Sequence, residues 1–486
     1  MSDAPSPRSS YAAGAWVEDS TAKIVETRDP ARPDEVVARY ALASTDTVQR
    51  AMKAARAVAP ALAVTTAAER HDLVHDFLAL WVERQDDLAD IATREMGKAR
   101  QESYGETARA IFEARFWAGE ALRVGGHTYP STRPNTEILT VREPLGPVAA
   151  ITPWNFPILT PLRKVIPALV NGCPVLLKPA MQAPGASVII AEIMDQLKLP
   201  AGAFSLILGS GREAGSAMVE SPDIAGITFT GSTEVGLGIA AVAAGRNART
   251  QLEMGGKNAA IVAEVRDIDN VAAEIVTSAF TASGQRCTAI SRVIVLPEVR
   301  EELEAALVRH ASTIVVGHGL EPGTVMGPVV DRAARDRALE AVTVARNAGA
   351  RVLLGEDGSA RTDGDGGYFV APTIVTDVAP GTPLAVEEVF APVLAVIPVS
   401  DLDEAIAVAN ETAYGLTASV FADNAYTARR AAMASRTGMV HINHGTTSEG
   451  HIPFGGVAQS GQGAFGIGAT STEFFTSLKV VYDLHP

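Results

Sequence analysis

The sequence predicts an α/β protein of two lobes, each a parallel sheet with helices on its faces, plus a small β element. Three observations predict it. Beyond Leu145, short apolar runs bounded by Gly or Pro alternate with helical stretches, the pattern of a parallel sheet. A second series of the same texture starts near Asn258. Two pieces fit neither series: residues 122–141 are polar and helix-poor, and so is the tail after Gly468.

In chain order, "MSDAPSPRSSYAAG" has no apolar stretch of signal-peptide type and is expected to be a disordered lead-in. Residues 46–118, rich in Ala, Leu, Glu and Arg with apolar residues at 3–4 spacing, predict helices. In the first series "GPVAAITP", "CPVLLKP", "SLILGS" and "GITFTG" predict buried strands, and Pro184–Lys198, Arg212–Glu220 and Thr233–Ala244 the helices between them. In the second, "NAAIV", "SRVIVLP" and "PVLAVIPV" are strands, and Glu298–Ser312 and Arg332–Asn347 are helices. "GEDGSARTDGDGGYF" is a turn-rich surface loop. The expected domains are 1–121 with 142–253, then 254–460, with 122–141 and 468–486 as an oligomerisation element. Alternating apolar residues near Lys479–Tyr482 suit an edge strand that pairs across a homodimer or homotetramer. A monomer in light scattering would overturn that expectation.

Composition excludes several functions. The 486 residues, 47% hydrophobic and 20% charged, bury a large core without staples. Two cysteines make no disulfide framework and point to a reducing cytoplasm. The best apolar stretch, "PLRKVIPALVNGCPVLL", is broken by Arg163, Lys164, Pro167 and Asn171, so no membrane span is expected. A net charge of −15 argues against nucleic acid, though one arginine or helix N-terminus still holds a small anion.

Chemistry gathers in a few motifs. "SGQRCTA" carries Cys287 beside Arg286 and just after Gly284; a lone cysteine is usually inert, as Cys173 in its apolar strand is expected to be. "TPWNFP" holds the amide of Asn155 between prolines and aromatics, which suits an oxyanion hole. "QLEMGGKN" ends a strand on Glu253, a carboxylate able to activate water. "FTGSTEVG" is a strand, a Gly231–Ser232 turn and a helix start, which aims N–H groups at a phosphate; "LLKPA" ends a strand on Lys178, suited to a ribose or phosphate. Each motif alone has a structural reading too: a buried Asn, a capping Glu, an ordinary turn. The pair His71 and His75 in "HDLVH" lacks a third ligand, so no metal is expected.

"PWNFP", "LLKPA", "FTGSTEVG", "LEMGGKN", "GQRCTA", "EEVFAP" and "PFGGVAQSG" occur in order from 152 to 461. With them the chain resembles the NAD(P)-dependent aldehyde dehydrogenase superfamily. The resemblance implies a Rossmann-like dinucleotide-binding domain and a catalytic domain. It implies Cys287 as nucleophile, Asn155 and the Cys287 N–H as oxyanion donors, Glu253 as the base for thioester hydrolysis, and Lys164 as its proton partner. For the cofactor, NADP or NAD, it implies Ile151, Thr152, Pro153, Trp154, Lys178, Met181, Phe229, Gly231, Ser232, Glu388 and Phe390. Met181 stands where many NAD-preferring members carry a glutamate that repels the 2′-phosphate, so NADP is expected to be accepted.

For the substrate, the resemblance to semialdehyde dehydrogenases implies Arg163 as a partner of a distal carboxylate, although the second arginine of those enzymes is here Thr281. A surface charge on a helix flank is the alternative reading of Arg163. Arg286, Thr288, His444 and Phe454 complete the expected substrate wall, with the role of Arg286 unassigned. The small-molecule substrate is an aldehyde, possible types being a dicarboxylic semialdehyde, an aromatic or an aliphatic one. A CoA-acylating member would lack Glu253. A thiol hydrolase would need a histidine partner and leave the dinucleotide motifs idle; a non-catalytic relative would have lost Cys287 or Asn155.

Overall fold

The computed structural model describes residues 6–18, 20–356 and 366–485. The first sheet has eight strands in the order Gly461–Gln462, Arg249–Glu253, Gly226–Thr230, Val148–Thr152, Val175–Pro179, Phe204–Leu206, Tyr11–Ala12 and Ala15–Trp16. Its five central strands are parallel. Four of them are mainly apolar runs rather than alternating ones because both faces are covered, while Arg249–Glu253 is mostly polar. Val148, Ala150, Val175 and Leu177 point to one face, packing with Phe77, Trp81 and Leu162 of the flanking helices. Ala149, Ile151 and Leu176 point to the other, against Val48, Met52 and Ile239. That split follows from the two-residue repeat of a strand.

The second sheet has seven strands, Arg351–Leu354, Thr373–Thr376, Val393–Pro398, Ile290–Val295, Asn258–Val262, Thr417–Phe421 and Met439–Ile442, all parallel except the first. Ala259 and Ile261 pack on one side of it, Ala260 and Val262 on the other. The four long helices Thr45–Ala63, Ala67–Glu83, Gln85–Met96 and Arg100–Ala121 fill the expected helical region.

Three expectations change. The lead-in is ordered from at least Arg8: Tyr11 and Ala12 are buried as a strand beside Leu206, and the Leu208 N–H donates to Ser10 Oγ at 3.0 Å. Apolar Tyr11 outweighs the polar stretch before it. The helix expected at Arg212–Glu220 starts as a π turn, Gly211–Gly215, before the α-helix Ser216–Glu220. The strand in "SLILGS" covers only Phe204–Leu206. Most of the loop expected at "GEDGSARTDGDGGYF" lies outside the described residues.

The tail strand Thr476–Leu484 runs antiparallel to Thr136–Pro144 over nine residue pairs, with Thr128–Tyr129 on the far side. It is an edge strand of that three-stranded sheet, and Leu478, Val480, Tyr482 and Leu484 are exposed along it. Among the described residues no helix is long and apolar enough to cross a membrane.

The topology places the chemistry. Strands of the first sheet end at Thr152, Thr230 and Glu253, and the chain leaves them into "PWNFP", "GST" and "MGGK". The second sheet's strands Asn258–Val262 and Ile290–Val295 begin just after "MGGK" and "QRCTA". The carboxyl ends of one sheet thus face the amino ends of the other, a usual place for a ligand cleft.

Candidate active site

A cavity of 610 Å³ opens between the lobes. Asn155, Arg163, Lys164, Glu253, Thr281, Arg286, Cys287, Thr288 and Phe454 line it, together with Pro153, Trp154, Gly231, Ser232, Glu388 and Phe390. Residues more than 200 positions apart therefore share one wall. Ile151 and Phe229 are buried behind it in the core, and Thr152, Lys178 and Met181 lie off it. His444 Nδ1 faces the Gly445 carbonyl at 2.8 Å, and the neighbouring Thr446, Thr447 and Ser448 line the cavity.

Cys287 is tied down through its neighbours. Three successive residues before it are left-handed, Ala282 (φ 53°), Ser283 (φ 57°) and Gly284 (φ 68°). The two non-glycine residues cost about 1–2 kcal/mol each in that conformation. Hydrogen bonds hold them there: the Ala282 N–H donates to Glu102 at 2.8 Å and Ser283 Oγ to the Gly327 carbonyl at 2.8 Å. At Gly284 any Cβ would sit 2.4 Å from the Ala391 carbonyl, so the thiol loop is pressed against "EEVFAP". Beyond the turn, Asn258 Nδ2 donates to the Cys287 carbonyl at 2.7 Å. Asn155 Nδ2 donates to the Gln285 carbonyl at 2.9 Å. An amide nitrogen has two N–H groups, so this bond orients Asn155 and leaves one donor for a ligand. Burial pushes the Cys287 thiol up to about 12, and Glu388 and Glu253 add to the shift, while Arg163 and Arg286 oppose it. Cys173 is buried in the first core, as an inert cysteine should be.

Glu253 and Lys164 are both buried, and burial drives both toward their neutral forms: the carboxyl up, the amine down. Their mutual attraction opposes this and is outweighed by desolvation. Glu253 Oε2 has no protein partner. Lys164 Nζ donates to Thr228 Oγ1 at 2.8 Å, and that hydroxyl donates onward to Gln251 Oε1 at 2.8 Å. A carboxyl that is raised, unpartnered and on a cavity wall is equipped to take a proton from water.

The other side of the cavity suits a nucleotide. Ser232 is the N-cap of the helix Thr233–Gly245 yet makes no capping bond with its own side chain, which leaves the hydroxyl and the first N–H groups available. Gly231 admits no side chain, because a Cβ would lie 2.5 Å from the Phe229 ring. Glu388 accepts from the Gly256 N–H at 3.0 Å, and burial raises it to about 7. Phe390 adopts a left-handed backbone (φ 57°) and meets Trp154 edge-on at 5.6 Å. Lys178 is buried, donates to the Pro179 carbonyl at 2.9 Å, and is lowered by burial to about 8. Met181 packs against the first lobe's core and brings no carboxylate.

Sequence reasoning passed over two supports of Asn155. Lys98 Nζ donates to the Asn155 carbonyl at 2.7 Å and to Glu106 at 2.7 Å, and it lies 4.3 Å from the Phe156 ring. The other Glu106 oxygen accepts from the Ile158 and Leu159 N–H groups at 2.8 and 2.7 Å, capping the helix Leu159–Val170. Both side chains are almost wholly buried. Lys98→Met leaves an uncompensated carboxylate, so we expect a loss of about 3–5 kcal/mol in urea unfolding. An unchanged unfolding midpoint would refute that assignment.

Arg163 is neither a surface charge nor free. Its Nε and Nη2 donate to the two oxygens of buried Glu113 at 2.8 and 2.7 Å, and its guanidinium lies 5.6 Å from the Phe454 ring on the cavity wall. Thr281 also reaches the cavity, with its hydroxyl donated to the Thr277 carbonyl at 2.6 Å. His71 and His75 lie 4.5 Å apart, and among the described residues no group of three or more His, Cys, Asp or Glu side chains is placed to hold a metal.

Comparison with known proteins agrees with this geometry. The model of the aldehyde dehydrogenase family matches residues 16–481. The chain is 38% identical over 479 residues to the alpha-ketoglutarate semialdehyde dehydrogenase of Haloferax volcanii, covering 98% of this chain and 99% of that one. It is 36% identical over 470 residues to the alpha-ketoglutaric semialdehyde dehydrogenase of Bacillus subtilis, covering 96% of each. The solved betaine aldehyde dehydrogenase of Staphylococcus aureus in complex with NAD+ superposes with a TM-score of 0.95 at 31% identity, covering 99% of this chain and 95% of that one. The chain belongs to the aldehyde dehydrogenase family.

Proposed function

We propose that the chain oxidises an aldehyde bearing a distal carboxylate, of the 2-oxoglutarate or succinate semialdehyde type, to the dicarboxylic acid with NADP or NAD. The observation that carries this is one cavity lined by Cys287, Asn155 and Glu253, with Arg163 on the same wall. The names of the two semialdehyde relatives support the substrate type.

Cys287 gives up its proton to solvent and attacks the aldehyde carbon as a thiolate, forming a C–S bond while the C=O π pair moves to oxygen as an alkoxide. The free Asn155 N–H and the Cys287 backbone N–H donate to that oxygen, worth about 10²–10³ in rate for such a donor. A bound nicotinamide would supply the hydride acceptor for that carbon. Ser232, Gly231, Glu388 and Phe390 are the residues that would seat it, and the Ser232 hydroxyl without a capping bond fits a phosphate acceptor. What remains on Cys287 is a thioester. Glu253 takes a proton from water, the hydroxide attacks the thioester carbon, and the C–S bond breaks to give acid and thiolate. Lys164 is the residue through which Glu253 exchanges its proton. Both cysteines are free, which suits a reducing cytoplasm, and the exposed Thr476–Leu484 edge supports assembly of a homodimer or homotetramer.

The test is an aldehyde panel run with each cofactor. Succinate and 2-oxoglutarate semialdehydes should exceed aliphatic and benzaldehyde substrates in kcat/KM. NADP should be used with a KM near that for NAD, because Met181 offers no carboxylate to repel the 2′-phosphate. Equal rates across the panel would end the substrate assignment; an NADP KM far above that for NAD would end the cofactor assignment. A requirement for CoA would replace hydrolysis by acyl transfer.

A further inference from the structure

We propose that Arg109 is the second guanidinium of the site that anchors the substrate's distal carboxylate, an inference that rests on the carboxylated-aldehyde reading above. Arg163, the arginine suspected from sequence, is already paired: two parallel hydrogen bonds of 2.8 and 2.7 Å join it to Glu113. A fork-to-fork pair of that kind carries no net charge, so by itself it attracts an anion weakly. The missing charge comes from the helix Arg100–Ala121. One turn before Glu113, Arg109 Nε donates to the same Glu113 oxygen at 3.0 Å. One carboxylate, 2% exposed, therefore holds two guanidinium groups and leaves one positive charge in surplus.

Both arginines line the cavity, whereas Glu113 lies behind them. Arg109 Nη2 is buried and has no hydrogen-bond partner. That leaves one Arg109 donor without an acceptor, a deficit that a ligand carboxylate oxygen can make good. Of the other cations on the wall, Lys98, Lys164 and Arg286 meet protein groups, whereas Arg337 is exposed. Lys98 is matched by Glu106 at 2.7 Å. Arg286 Nη2 donates to the Ser278 carbonyl at 3.0 Å and the Glu102 carboxylate favours its charge, although its buried Nε has no partner. Lys164 faces Glu253. At the Arg109–Glu113–Arg163 triad, with two guanidinium groups on one carboxylate, a ligand carboxylate brings the charges to balance. With Thr281 offering only a hydroxyl, the two-arginine anchor is built here from the helices Arg100–Ala121 and Leu159–Val170.

The experiment compares kcat and KM for 2-oxoglutarate semialdehyde and for pentanal, an uncharged five-carbon aldehyde, in wild type, Arg109→Leu, Arg109→Lys and Arg163→Leu. In Arg109→Leu the ratio of kcat/KM values, charged over uncharged, should fall by about 10- to 100-fold, carried by the KM of the semialdehyde. Arg109→Lys, which keeps the charge without the fork, should retain part of the preference. If Arg163→Leu loses the preference and Arg109→Leu keeps it, Arg109 has no part in the anchor although the substrate reading stands. If both Arg109 variants lose the two aldehydes equally, the residue is structural and the proposal is overturned. A wild type without preference defeats the substrate reading itself.

Discussion

Cys287→Ala should lower kcat by on the order of 10⁴-fold or more, while the folded protein still binds NADP or NAD. The size of the effect follows from the covalent route. Without the sulfur there is no thiohemiacetal to release hydride, so the oxyanion donors have no intermediate to stabilise. Cofactor binding should survive because Ser232, Gly231 and Glu388 belong to other loops. The thiol packs only at the edge of a small cluster of Leu416, Phe454 and Ile467, so its loss should shift Tm by a few degrees at most. Steady-state assay, thermal melts and a cofactor titration check all three points. Activity of the alanine variant above about one part in a hundred of wild type would reject nucleophilic catalysis by Cys287.

Glu253→Gln should separate the two halves of the reaction. In the proposed mechanism Glu253 acts after hydride release, so about one equivalent of reduced cofactor should form per site in a burst. Hydrolysis of the thioester should then slow by about 10²–10⁴-fold, and intact-protein mass spectrometry should show the acylated enzyme. The pH dependence has a definite sign. Glu253 acts as the carboxylate, and burial raises its pKa well above the ordinary carboxylate range. Steady-state turnover of the wild type should therefore rise with pH, with a midpoint above that range, and lose this limb in the variant. The raised Cys287 thiol also favours high pH, but it governs the burst and not the slow phase. A variant with neither burst nor acyl adduct would place Glu253 before hydride release.

Much of this fold was legible because local rules and tertiary structure agree. Val148–Thr152 and Val175–Pro179 are buried at every position because helices cover both faces, and a short, mainly apolar run bounded by Gly or Pro carries that information. The failure at the amino terminus has the opposite cause. Tyr11 and Ala12 gain their stability from pairing with a strand near residue 206, which no local pattern reports. The charged stripe Glu102, Glu106, Arg109 and Glu113 has the spacing of one helix face and resembles a solvated surface. Instead, Glu106 and Glu113 are buried, and the stripe supports both Asn155 and the arginines of the cavity.

By itself the sequence determined the alternation of strands and helices in the two lobes, and which residue types flank the strands: Asn155, Glu253, Gly231 and Cys287. Those features depend on periodicity and on short motifs, which are local. The tertiary structure decided what those residues meet. It turned Arg163 onto Glu113, placed Lys98 beneath the Asn155 carbonyl, set His444 Nδ1 against the Gly445 carbonyl and brought Arg109 onto the cavity wall. The reason is physical. Arg163 and Lys98 find their partners 50 and 57 residues away, and a side chain's charge, availability and direction depend on such partners.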